Sequence, residues 1–469
     1  MNRILLFCLL AVAFLPVAAQ SGRTPSPADT PAARELPPVK DLFDEVNTYT
    51  RTKYAEFEIK KIPFSEKLRL RTESEKKHLA AKYALLAAKN TEPAGEDLYY
   101  LGLLYWIGEN IDGASESMSK YLTTDPPAEK AQMARSIVAV TAAKQKRFSD
   151  ALAAAEAYKK NTPVRTSDLL RIETELAKAY IAAQDLPAAV SHAQTGYALA
   201  KDLLFDPKVR GGADEALDVG MLIFEAESAA GNPEKADAAL EDMRSVAARL
   251  ASASFYYYVT DKLIAYRIDT GRKPLAMKTF SEAMLKIPEQ FGERRAAADD
   301  AVRRLQNRER IYKLLGEPAI ELTGIDKWFP GQPRKMSELR GKVVLLDFWA
   351  TWCGPCFDAF PVLTEWHNDF SSDGLVILGM TRYYGRADGV DAPPPAEIDF
   401  LKAFREKQKL PYDFVVASGQ ETQILYGATG LPTAVLIDRK GTIRYIETGS
   451  SPTRTEEMRT AMLKLLAEK

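Results

Sequence analysis

Apolar residues recur along this chain in two rhythms, and the change between them falls near Gly316-Glu317-Pro318. From Val39 to about Leu315 they return every three or four positions in alanine-rich stretches, broken at Pro63, Gly95, Pro126-Pro127, Pro163, Pro207 and Pro288. That period places one face of a helix in a core, so the stretch is predicted to be helical throughout. Beyond Pro318, short apolar runs such as Val343-Val344-Leu345-Leu346-Asp347-Phe348-Trp349 alternate with helical patterns and turns, the signature of an α/β domain. The start of the chain differs again. Arg3 precedes the apolar stretch Ile4–Ala19, which ends in Val17-Ala18-Ala19 and reads as a secretory signal peptide cut near Gln20. It is shorter than the roughly 20 residues of a membrane span. Pro25, Pro27, Pro31, Pro37 and Pro38 mark a linker. The expected organisation is a signal peptide over 1–19, a linker over 20–38, a helical domain over 39–315 and an α/β domain over 316–469.

Within the helical half a degenerate repeat is visible. Leu98, Leu101, Gly102, Tyr105, Ala114, Met118, Tyr121 and Pro126 follow spacings that resemble the tetratricopeptide pattern, in which small residues let two antiparallel helices approach. Ala151, Ala189, Ala236 and Ala276 mark further copies, separated by 37, 38, 47 and 40 residues counted from Ala114. The standard interval is about 34. A solenoid of helical hairpins presents a concave surface that binds protein segments, and the plainer reading is a spacer or dimerisation element. Tyr99, Tyr100, Trp106 and Phe255-Tyr256-Tyr257-Tyr258 suit a groove or, more simply, a core. Helix Arg294–Leu315, with Arg303, Arg304, Arg308 and Arg310, is expected to present these arginines on a solvated face.

Of three cysteines, Cys8 lies in the signal stretch, leaving the pair in Trp352-Cys353-Gly354-Pro355-Cys356. A helix is predicted to start here, so its N-terminal partial positive charge stabilises the Cys353 thiolate and lowers its pKa from about 8.5 toward 7. Cys356, one turn on, is placed to attack any mixed disulfide that Cys353 forms. A structural disulfide and half a zinc site are the alternatives. Cysteines three apart close too tight a ring to staple a fold, and no second pair or paired histidine completes a metal site, His78, His192 and His367 being scattered. His367 is expected at the surface. Formal charge is −1, or −2 without Arg3, with both signs interspersed, which gives nucleic acid no basic patch.

The run Lys342–Cys356 and its approach Met336–Gly341 are similar to the signature of TlpA- and ResA-type extracytoplasmic thioredoxins, a resemblance that covers essentially all of 316–469. Pro361 matches the proline that kinks the first helix of thioredoxins, and Gly430-Leu431-Pro432-Thr433 their second hallmark. The resemblance implies a thioredoxin fold and thiol-disulfide exchange with proteins, Cys353 acting as nucleophile and Cys356 resolving. It also implies a cis Leu431–Pro432 bond facing the disulfide, where the backbone of Leu431 pairs with an extended partner, and a client-facing rim of Trp352, Gly354 and Pro355. Asp347 stands where thioredoxin has its buried acid, fit to take the Cys356 proton through a water. The alternative is an aspartate hydrogen-bonded within the sheet. The strand Leu375–Thr381 lacks the lysine that thioredoxin pairs with that acid. The insert Arg382–Pro395 shapes the site in this family, and Glu397 and Asp399 follow it. Phe357 after Cys356 rules out c-type haem attachment.

The expected protein is an exported, cofactor-free reductant of disulfide-bearing clients, recharged by a membrane electron donor, with a protein partner on its helices. A peroxiredoxin-like thiol peroxidase and a binding scaffold carrying a thioredoxin module are the rivals. Because the chemistry is local to 316–469, removing 39–312 is expected to leave it unchanged.

Overall fold

The computed structural model describes residues 37–90, 92–209 and 211–468; the stretch expected to be a signal peptide, with Cys8, and the expected linker up to residue 36 lie outside them. Thirteen helices precede the first strand among the described residues, and the chain divides into two compact units between Val138 and Ala139. The first holds α1 (Val39–Ile59), α2 (Glu66–Asn90), α3 (Glu96–Ile107), α4 (Ile111–Leu122) and the start of α5 (Ala128–Lys144). Its apolar faces form small clusters, one built on Val46, Ala84 and Leu104, another on Ala114, Met118 and Ile137. No described helix is long and apolar enough to cross a membrane.

The second unit continues with α6 (Phe148–Lys160), α7 (Thr166–Ala182), α8 (Leu186–Leu204), α9 (Ala213–Ala229), α10 (Pro233–Arg249), α11 (Ala253–Asp269), α12 (Lys273–Gln290) and α13 (Arg295–Leu314). One turn geometry recurs along both units. Glu109, Lys146, Gln184, Gly231 and Gly271 all adopt positive φ. The next residue then donates its N–H to the carbonyl five positions back, as Asn110 does to Tyr105, Asp185 to Tyr180 and Asn232 to Glu227, at 2.9–3.0 Å. These bonds close off one helix and aim the chain into the next. Four residues after each turn's final residue stands Ala114, Ala151, Ala189, Ala236 or Ala276, every one fully buried. The irregular alanine spacing of the sequence is therefore a repeated contact, with a methyl where a larger side chain would push helices apart.

One sequence expectation changes here: helix α12 runs through Pro288 and ends at Gln290. Of the aromatics, Tyr100, Phe255 and Tyr256 are core, the simpler of their two readings, whereas Tyr258 is exposed.

After α13 come β1 (Ile325–Phe329), β2 (Val343–Phe348), α14 (Gly354–Phe370), β3 (Leu375–Arg382), the short strands β4 (Arg386–Ala387) and β5 (Val390–Asp391), α15 (Pro394–Lys407), β6 (Asp413–Ala417), α16 (Glu421–Leu425), β7 (Thr433–Ile437), β8 (Ile443–Thr448) and α17 (Pro452–Ala467). The main sheet has the order β1-β6-β3-β2-β7-β8, with β2 parallel to β3, β3 parallel to β6 and the remaining pairs antiparallel. This is the thioredoxin-like mixed sheet that the sequence leads one to expect. All six residues of β2, Asp347 included, are buried, as a strand with neighbours on both sides and both faces covered requires.

Alternation along β2 sends Val343, Leu345 and Trp349 toward α14, α15 and α17, while Val344, Leu346 and Phe348 join the opposite face. That opposite face is not closed by the α/β segment itself. Its cluster runs on without a break into Leu263, Phe280, Ile311, Tyr312 and Leu315 of the helical half. The junction is hydrogen-bonded like an added strand: Gly316 N–H donates to Ile443 O (2.8 Å), Ile443 N–H to Glu317 O (2.9 Å) and Ala319 N–H to Gly441 O (2.8 Å). Gly316 turns there at φ +80°, and a Cβ would sit 3.1 Å from Ile268, so the sharp exit from α13 suits glycine. Arg308, expected in solvent, is instead largely buried between Asp261 Oδ1 (2.9 Å) and Glu447 Oε2 (3.1 Å). Arg444 and Lys464 of the α/β segment both reach Asp269 of α11. The helices and the sheet in this unit share one core, which the local character of the motif did not foretell.

Candidate active site

Strand β2 ends at Phe348, and the chain passes through Trp349, Ala350, Thr351 and Trp352 before α14 opens with Cys353 as its N-cap and Pro355 in the first turn. Proline is suited to that position because its missing N–H would have no partner in a first turn. Cys353 and Cys356 are joined as a disulfide, with Cα atoms 5.3 Å apart. Both cysteines are buried, at 4% and 1% exposure, and pack with Trp349, Ala350 and Phe360. Trp352, Gly354, Pro355 and Phe357 stand exposed around them. Cys353 thus sits at the helix end, where the first-turn N–H groups have no partner within the helix.

The Leu431–Pro432 bond is cis. Gly449 N–H donates to Pro432 O (2.7 Å), tying this loop to the end of β8, and Leu431 packs against the cluster that holds both cysteines. Asp347 is buried beneath α14 and shares a cavity with Pro432, Ala359 and Leu363. Its Oδ2 meets no hydrogen-bond partner among the described residues, which argues against an aspartate tied into the sheet. Burial pushes its pKa from 3.8 up to about 7.

That shift has a measurable consequence. The native pKa lies above the unfolded one, so the unfolded chain sheds this proton first, and stability falls as pH climbs from about 4 to 7. About three pKa units correspond to about 4 kcal/mol. Asp347→Asn is therefore expected to gain up to about 4 kcal/mol over the parent in urea unfolding at pH 8 and nothing near pH 4. An equal stability at pH 8 would show that the native carboxyl ionises freely.

The insert reaches the site through aromatic contacts that the sequence did not show. Tyr384 sets its ring edge-on to Trp352, with centroids 5.4 Å apart, and lies under the Arg382 guanidinium at 4.2 Å. Glu397 fixes that loop: its carboxylate accepts from Tyr384 N–H (2.8 Å) and Gly385 N–H (2.9 Å). It therefore braces the insert, while Asp399 is exposed beside Lys402. His367, expected at the surface, is half-buried, and burial lowers its pKa.

Fold and site together define a thioredoxin-fold dithiol domain. Residues 315–446 match the AhpC/TSA family model. Curated relatives include the thiol-disulfide oxidoreductase ResA of Bacillus subtilis, 32% identical over 130 residues, or 27% of this chain and 63% of that protein. ResA of Geobacillus kaustophilus is 30% identical over 120 residues, 26% of this chain and 62% of the relative. This chain thus spans less than two thirds of the length of these relatives. Among solved structures, the thioredoxin domain of a thiol-disulfide oxidoreductase from Bacteroides vulgatus aligns at 25% identity over 32% of this chain and 97% of that one, with a TM-score of 0.26.

Proposed function

We propose that this protein is an extracytoplasmic thiol-disulfide oxidoreductase that reduces disulfides of client proteins. The observation that carries the reading is the Cys353–Cys356 pair at the start of α14, buried except at a rim of Trp352, Gly354 and Pro355. The naming of its relatives as thiol-disulfide oxidoreductases supports it.

In the reduced protein the Cys353 thiolate attacks a client disulfide, forming a mixed disulfide and expelling one client thiolate, which takes a proton from solvent. Cys356 then loses its proton to the Asp347 carboxylate through a water and attacks Cys353 Sγ. The Cys353–client bond breaks, the second client thiolate leaves, and the Cys353–Cys356 disulfide closes. An extended client strand lies along the backbone of Leu431 while this happens. A membrane-bound electron donor restores the dithiol, Ile4–Ala19 directs export, and no cofactor takes part. The helical half holds client segments and raises their concentration near Cys353.

With dithiothreitol as electron source, the full chain is expected to speed precipitation of insulin well above the reagent alone, and to leave hydrogen peroxide untouched. Insulin reduction at the reagent's own rate would overturn the reading, and peroxide consumption would favour the peroxidase.

A further inference from the structure

Beneath the first turns of α14 lies a cavity of about 30 Å³, wide enough for a water molecule. It is lined by the buried Asp347 and Pro432, the half-buried Ala359, Tyr445 and Glu447, and the exposed Ser450 and Arg454. Two buried polar atoms of its lining residues have no hydrogen-bond partner among the described residues, Asp347 Oδ2 and Tyr445 Oη. A buried carboxyl oxygen and a buried hydroxyl beside one cavity are the partners that a bridging water needs.

Glu447, another of the lining residues, is a half-buried carboxylate with an arginine at each of its oxygens. Arg308 of α13 bonds its Oε2 at 3.1 Å, and Arg454 of α17 stands 3.6 Å from its Oε1. Tyr257 and Asp261 of α11 lie behind Arg308, Asp261 being its second partner. Tyr445, two residues back on the same strand, completes the surroundings, and Tyr412 is the titratable neighbour of Asp347. Burial raises the Glu447 pKa and the two arginines oppose it, which brings its proton affinity closer to that of Asp347.

We infer that Glu447 is the exit and entry group for the proton that Asp347 exchanges with Cys356, the two carboxyls being joined through water held at Tyr445. The inference rests on the reading of Asp347 as the proton partner of Cys356. When the disulfide is reduced, a thiolate attacks Cys353 Sγ, the Sγ–Sγ bond breaks, and Cys356 leaves with the electron pair and takes the proton of Asp347. Asp347 is reloaded through the cavity water from Glu447, and Glu447 from solvent. Oxidation runs the same path outward. Because Arg308 belongs to α13, the helical half sets the charge at the mouth of the path. Glu447 is a positioning residue for the proton and touches no sulfur.

The test uses the oxidised full chain and dithiothreitol, with reduction followed by tryptophan fluorescence at Trp349 and Trp352, so no client is needed. The wild-type rate is expected to be independent of imidazole concentration. Glu447→Gln is expected to be about tenfold slower in dilute buffer, less than the 10²–10⁴ of a direct general acid because it acts at one remove. Its rate should climb back as imidazole is added, since a small diffusible acid replaces the lost carrier. Tyr445→Phe, which removes only an unpartnered hydroxyl, should show the same buffer dependence more weakly, and Glu447→Asp should keep most of the rate. Either an unslowed Glu447→Gln chain or a slowing that imidazole leaves in place would overturn the inference. A wild-type chain that fails on insulin yet shows this pattern would overturn the client reading alone.

Discussion

The Cys353→Ser chain is expected to reduce insulin no faster than dithiothreitol alone, and the Cys356→Ala chain to accumulate clients as covalent adducts. Both outcomes follow from the proposed division of labour between the two sulfurs. Cys353 stands at the rim beside exposed Trp352, Gly354 and Pro355, and without it nothing attacks the client. Cys356, at 1% exposure, is reached only by the neighbouring sulfur, so its loss blocks the second step and leaves the mixed disulfide intact. Non-reducing gels of the exported fraction, before and after dithiothreitol, read the trapped species. Residual insulin turnover in Cys353→Ser would sink the nucleophile assignment, and an empty Cys356→Ala trap would favour a binding scaffold.

A chain cut to residues 316–469 is expected to lose cooperative unfolding, in contrast to the independence that the compact motif suggests. Removing the helices strips the cover from the sheet face that carries Val344, Leu346 and Phe348, whose cluster runs on into Ile311, Tyr312 and Leu315. It also leaves Glu447 without Arg308, and Arg444 and Lys464 without Asp269. A milder form of the experiment keeps the chain whole. Tyr312 is fully buried, donates to Asp261 Oδ1 at 2.7 Å and meets Phe280 edge-on. Tyr312→Ala is expected to cost about 3–5 kcal/mol, the range of large aromatic deletions. Helical circular dichroism and Trp352 fluorescence should then move to lower denaturant together. A cut chain that melts as sharply as the parent, or a Tyr312→Ala chain whose fluorescence midpoint does not move, would show that the shared core adds little.

Much of the candidate site is legible in the residues because its parts are close in sequence. The thiol pair, the apolar run that becomes β2 and the acid six positions before Cys353 all lie within one strand–turn–helix unit, where short-range geometry leaves little choice. The cis proline is 76 positions beyond Cys356 and was legible only through its own motif, Gly430-Leu431-Pro432-Thr433. The buried alanines Ala114, Ala151, Ala189, Ala236 and Ala276 were readable as a degenerate repeat because helix contact demands a small residue at a fixed offset from each turn.

By itself the sequence determined the two rhythms, the change between them near Gly316 and the dithiol with its acid, since periodicity and motif spacing act over a few turns of chain. Tertiary structure alone decided what surrounds them. Arg308 reads as one of several solvated arginines until it meets Glu447, 139 residues away. Glu397 reads as a spare acid until its carboxylate closes on the N–H groups of Tyr384 and Gly385. Tyr445 and Glu447 read as ordinary strand residues until α14 and α17 fold over them and leave a water-sized space against Asp347. Such pairings depend on which distant side chains share a desolvated volume, and no local pattern in the chain encodes that.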